Sequence, residues 1–126
     1  MPEDHDRPGT ILLVDDHRES LAALEAVLEP LGEPLVLADS GEQALRALLR
    51  IECSVILLDV RMPIMDGFET AALIRLRSES ELTPIIFVTA QASDEVMKDR
   101  YTAGAVDFIT APVDPDELRA KVSVLA

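Results

Sequence analysis

The sequence predicts an α/β fold of the (βα)5 type, with a parallel sheet covered by helices on both faces. Three observations predict it. Five short β-rich runs recur at regular intervals, and segments with helical hydrophobic spacing fill the gaps between them. Three of the runs stop on oxygen-bearing side chains, which a parallel sheet would gather at the carboxyl ends of its strands. Strands alternating with helices imply right-handed crossovers, so all five strands point the same way.

Residues 1–9 read as a disordered leader, with Pro2, Pro8 and Gly9 set among charges, and 10–126 as one folded domain. The expected strands are Ile11–Val14, Leu35–Ala38, Val55–Leu58, Ile85–Val88 and Val106–Ile109. A first helix over Arg18–Leu31 aligns Leu21, Leu24, Val27, Leu28 and Leu31 before Gly32 stops it. A second starts at Ser40, an N-cap residue, and turns Ala44, Leu45, Leu48 and Leu49 inward. A third follows Asp66-Gly67 and carries Phe68, Ala71 and Ile74. A fourth, near Ser93–Ala103, is only weakly amphipathic. The fifth opens at Asp114-Pro115, a cap followed by proline at the first helical position, and repeats Leu118, Val122 and Leu125. It reaches Ala126 without a stop signal, which fits a helix that continues into a further module and fits a frayed terminus nearly as well.

Composition bounds the function. The 126 residues and 48% apolar content suit a single core, built from aliphatic residues because aromatics are 3%. Lys and Arg number 11 against 24 Asp and Glu, a net charge of −13. Such a surface repels phosphate backbones and anionic lipids, which argues against nucleic-acid or membrane binding. No signal core or apolar run of membrane-spanning length occurs, so a cytoplasmic protein is expected. Cys53, between Ile51 and Val55, reads as a small apolar filler.

The chemistry lies where the runs end. Ile11–Val14 stops on Asp15-Asp16, Val55–Leu58 on Asp59, and Ile85–Val88 on Thr89. Taken alone, Asp15-Asp16 also reads as a loop that caps the next helix, and threonine is common in strands. Together they place three carboxylates and a hydroxyl at one edge. Crowded carboxylates need a cation, and an oxygen-only set suits a hard, hydrated ion such as Mg²⁺. A carboxylate beside such an ion can attack phosphorus and form an acyl phosphate. Small Ala90 after Thr89 leaves room for a ligand. His17 reads as a solvated loop residue, and His5 carries no functional weight.

Residues 10–125 resemble the receiver domain of two-component response regulators, through LLVDD (Leu12–Asp16), ILLDVRMPIMDG (Ile56–Gly67), FVTA (Phe87–Ala90), AGAVDFIT (Ala103–Thr110) and Pro112. The resemblance implies a flavodoxin-like doubly wound sheet of strand order 2-1-3-4-5. It implies Asp59 as phosphoacceptor, and Asp15, Asp16, Asp59 and the Arg61 backbone carbonyl as the Mg²⁺ site. Thr89 would be the switch hydroxyl and Phe108 the aromatic whose rotamer follows it. Gly67 would permit a tight turn, and the Ala111–Pro112 bond would be cis. Its implied partners are a histidine kinase or phosphotransfer protein and a downstream effector module or linked domain. A homodimer through the fourth helical segment, fifth strand and fifth helical segment is a further implication. Such a domain is no turnover enzyme, undergoing only Mg²⁺-dependent self-phosphorylation and dephosphorylation.

The departure is at Ala111, where the family usually has lysine. A unit charge at about 4 Å is worth roughly 4 kcal/mol at an effective dielectric near 20, large beside the few kcal/mol that separate switch states. Lys98, Arg100 and Lys121 fall on helices and offer no obvious substitute. The alternative is therefore a degenerate receiver, serving as an interaction module with impaired switching. A Mg²⁺-dependent phosphatase would need a second carboxylate two residues after the nucleophile, where Arg61 stands. Asp15-Asp16-His17 is no glycine-rich nucleotide loop.

Overall fold

The structure, a computed structural model, describes residues 10–90 and 107–125. The expected leader lies outside the described residues, as does the helix near Ser93–Ala103 with Met97, Lys98, Arg100 and Tyr101. Strands β1 (Ile11–Val14), β2 (Leu35–Ala38), β3 (Val55–Asp59), β4 (Ile85–Thr89) and β5 (Asp107–Thr110) form one parallel sheet in the order β2-β1-β3-β4-β5. Among the described residues the helices are α1 (Arg18–Leu28), α2 (Gly41–Ala47), α3 (Gly67–Arg75) and α4 (Pro115–Leu125).

Side chains alternate across the strands, so each strand feeds two cores. Ile11, Leu13, Leu57 and Ile86 pack with Leu24 and Leu28 of α1 and with Leu118 and Val122 of α4. Leu12, Ile56, Leu58 and Phe87 pack on the opposite face with Ala44 of α2 and with Ala71 and Ile74 of α3. β1, most of β3 and β4 are buried throughout, as strands covered on both faces must be. Register then fixes the site. Val14 lies level with Leu58 and Asp59 with Val88, so the chain leaves β1 and β3 at the same height.

The caps follow the sequence. Ser40 Oγ accepts from Gln43 N–H at 3.0 Å, and Asp114 Oδ1 accepts from Asp116 N–H at 2.9 Å. Asp66 and Glu69 form a reciprocal capping box at the start of α3. Gly32 ends the first helical segment with φ +76°.

Three expectations need correction. The first helix ends at Leu28, and Glu29–Leu31 tightens into a 3-10 turn in which Pro30 has no N–H to continue the α-helical ladder. The second helix ends at Ala47, and the Arg77 guanidinium donates to the carbonyls of Leu45 and Leu48. Leu49 thus turns out to solvent at 72% exposure rather than inward. The last strand extends one residue beyond its expected end, because Thr110 still pairs with Thr89. In the loop after β3, Ile64 has a positive φ of 70°.

Gly67 sits where the loop after β3 packs closely on its own backbone. A Cβ there would press on the Asp59 carbonyl oxygen and lie 2.8 Å from Val60 Cα, and the Gly67 N–H donates to the Val60 carbonyl at 2.8 Å. The loop from Asp59 closes on itself only because this position has no side chain. Gly67→Ala is expected to destabilise the domain by about 1–3 kcal/mol through overpacking. Urea denaturation followed by circular dichroism would measure that loss.

Candidate functional site

Asp15 and Asp16 follow the last residue of β1, and Asp59 is the last residue of β3. The Asp15 N–H still donates to the Ala38 carbonyl at 3.1 Å, which holds the chain in strand register one residue beyond β1. Asp15 is buried, while Asp16 and Asp59 are half-buried. One carboxylate oxygen from each of these, together with a ring nitrogen of His17, lie within 4.8 Å of one another. The expected convergence of carboxylates is thus what the fold produces.

Few local hydrogen bonds relieve the crowd. Asp15 Oδ1 accepts from the His17 N–H at 2.9 Å, and Asp59 Oδ1 accepts a long 3.4 Å bond from the Arg61 N–H. Asp16 Oδ1 is buried and receives no hydrogen bond; His17 Nδ1, 3.1 Å away, is not aligned for one. The Asp59 carboxyl is pushed up to about 7, first by burial and then by the charges of Asp15 and Asp16, with the Arg61 N–H opposing. His17, exposed to solvent, is shifted upward chiefly by Asp16 and then by its hydrogen bond to Asp15.

A cavity of about 470 Å³ opens beside these carboxylates. Asp15, Asp59 and Thr89 line it, together with Leu24 and Val27 of α1 and Ala111. Thr89 is buried, and its carbonyl accepts from the Ala111 N–H at 2.7 Å, which ties the end of β4 to the segment after β5. Ala90 and Arg61 also line the cavity, and the Ala111–Pro112 bond is cis. Phe108 is buried and packs against Phe87 with ring centroids 5.4 Å apart.

Lys121 does not stand in for a lysine at position 111. Its Nζ pairs with Asp107 Oδ2 at 2.9 Å and donates to the Phe108 carbonyl at 3.2 Å, at the start of β5 rather than its carboxyl end. Cys53 packs half-buried against the core, and burial pushes its thiol up to about 12, as suits an inert filler. The position of His17 among the carboxylates was not foreseen. The available signal was its place directly after Asp15-Asp16, where the chain turns back over the strand ends.

Residues 11–123 match the family of the response regulator receiver domain. The chain belongs to that family. It is 39% identical over 115 residues to the transcriptional regulatory protein YvrH of Bacillus subtilis, covering 90% of this chain and 47% of that protein. The chain therefore spans about half the length of that relative. Among solved structures, chemotaxis protein CheY4 of Vibrio cholerae superposes with a TM-score of 0.90 at 28% identity, covering 95% of this chain and all of that one. The receiver domain of sensor histidine kinase PA1611 from Pseudomonas aeruginosa superposes with a TM-score of 0.86 at 31% identity, covering 94% and 98% of the two chains. That receiver carries a magnesium ion coordinated in its active-site cleft.

Receiver domains bind Mg²⁺ at an acidic site, and this chain's residues fit one. A buried carboxylate oxygen without a hydrogen bond and a carboxyl driven toward its protonated form are what an acidic cluster shows when its counter-charge is a metal ion. The pH dependence follows. Asp59 titrates at about 7 when folded against 3.8 when unfolded. The folded protein holds this proton more tightly, so the stabilisation is complete below 3.8 and is lost as pH rises through about 7. In EDTA, Asp59→Asn is expected to remove that downward slope. At pH 8 it should melt above the parent by the equivalent of about 1 kcal/mol, a figure reduced for solvent screening of a half-exposed group. Saturating Mg²⁺ should close the gap, and thermal melts at several pH values would show it.

Proposed function

We propose that Asp59 accepts a phosphoryl group from a phosphohistidine of a histidine kinase or phosphotransfer protein, and that the acyl phosphate alters a surface read by a partner or linked domain. An Asp59 carboxylate oxygen attacks phosphorus while the phosphorus–nitrogen bond to the donor imidazole breaks, and the imidazole leaves with a proton. Asp15 and Asp16, with Asp59 and the Arg61 carbonyl, would hold Mg²⁺, which neutralises charge on the phosphoryl oxygens when bound. Thr89, buried at the cavity wall, offers its hydroxyl to the phosphoryl group, and Ala90 beside it leaves space for that group.

The observation that carries this function is the convergence of Asp15, Asp16 and Asp59, two of which, Asp15 and Asp59, line a cavity that also reaches Thr89. The domain takes and loses one phosphoryl group and does not turn over a substrate. It works in the cytoplasm; among the described residues no helix is long and apolar enough to cross a membrane.

Ala111 sets how well the switch is coupled. With no ammonium at that position, the phosphoryl oxygens lose one cation after transfer, and the pull on Thr89 and Phe108 is weaker. Phe108 is also held by Phe87, which makes an edge-to-face contact with Phe68 at 4.8 Å between centroids.

Incubation with Mg²⁺ and acetyl phosphate is expected to add about 80 Da, the mass that acyl-phosphate chemistry contributes. The adduct should be absent in EDTA and in Asp59→Asn; its persistence in Asp59→Asn would refute the assignment. Hydrogen exchange over β4 and β5 should change little on phosphorylation of the parent and clearly more in Ala111→Lys. An equal response in the two would remove Ala111 as the determinant.

A further inference from the structure

We propose that His17 Nδ1 is an additional ligand of the metal site, giving this receiver a preference for borderline transition ions over Mg²⁺. The inference rests on the acidic metal site of the proposed function and concerns which ion that site selects.

The spacing of the donor atoms carries it. Neighbouring ligands on an octahedral ion with bonds of about 2.1 Å lie about 3.0 Å apart, and opposite ligands about 4.2 Å. His17 Nδ1 is 3.3 Å from Asp15 Oδ1 and 3.1 Å from Asp16 Oδ1. The group of four, Asp59 included, stays within 4.8 Å. The two His17 distances are those of neighbouring ligands on one small ion, and the 4.8 Å limit of the whole group exceeds the span of opposite ligands by about 0.6 Å, so a small inward shift of one side chain completes the set.

The local backbone explains why the imidazole is there. His17 is the N-cap of α1, with extended φ and ψ of −104° and 119°, and its N–H is held by Asp15 Oδ1 at 2.9 Å. Its side chain makes no capping bond to α1. Most of the ring is exposed, so the core does not position it, and its neighbours on the metal side are the two carboxylates. A divalent ion takes the place of any proton that Nδ1 shares with those oxygens.

The chemical consequence is selectivity. Mg²⁺ prefers oxygen and gains little from imidazole, whereas affinity for nitrogen-containing sites rises along Mn²⁺, Co²⁺ and Ni²⁺. One ring nitrogen among three carboxylates therefore separates the two kinds of ion.

Calorimetric titrations with NiCl₂ and MgCl₂ test this on the whole chain carrying His5→Gln, which removes the other imidazole. Adding His17→Gln is expected to lower the ratio of Ni²⁺ to Mg²⁺ affinity by about tenfold or more, the scale on which ligand-shell changes act. In Mn²⁺-loaded protein, electron spin-echo modulation from directly bound ¹⁴N should be present and should vanish with His17→Gln. An unchanged affinity ratio, or no nitrogen modulation in the parent, overturns the proposal. A separate Asp16→Asn arm is expected to weaken both ions. Undiminished Mg²⁺ affinity there would instead overturn the acidic site itself, whatever His17 does.

Discussion

Everything in this domain is arranged around an electrostatic conflict at the carboxyl ends of β1 and β3. Three carboxylates meet there with little local hydrogen bonding, a geometry that would relax by separation if the backbone were free to move. It does not move because the residues just before them, Ile11 to Val14 and Val55 to Leu58, are buried on both faces of a parallel sheet. Burial of those aliphatic side chains contributes far more than the repulsion costs. The stable core therefore holds an unfavourable cluster, and the free energy of relieving it is available to ligands.

The loop after Asp59 belongs to the same device. Gly67 lies against the Asp59 carbonyl, and the Asp66–Glu69 capping box anchors the loop to α3. Asp59 is thus fixed from both sides, by β3 before it and by a closed loop after it. The Ala111 N–H bonded to the Thr89 carbonyl couples β4 to the segment after β5. Asp59, Arg61, Thr89 and Ala111 all line the cavity, so a group entering it meets both structures.

Much of this was legible in the sequence because it rests on period and position. Strands β1 to β4 start where the apolar runs start, and the three acidic residues converge as parallel strands require. Features that depend on distant partners were not legible. Leu49 fits the helical stripe, yet Arg77, far along the chain, caps the carbonyls that end the helix before it. Gly67 was legible as a residue that permits a tight turn, but the close approach of the Asp59 and Val60 backbone to it was not. His17 carried no periodic signal at all. Its place was set by the chain reversal after β1, which gathers consecutive residues that a strand would have pointed apart.

Ile64 shows where this economy runs the other way. A β-branched residue with φ of 70° sits in a region that disfavours its Cβ by roughly 1–2 kcal/mol. Its side chain is fully exposed and gains nothing from packing. Any programme of thermostabilisation would begin at that codon, where glycine or asparagine suits the backbone and no core contact is forfeited.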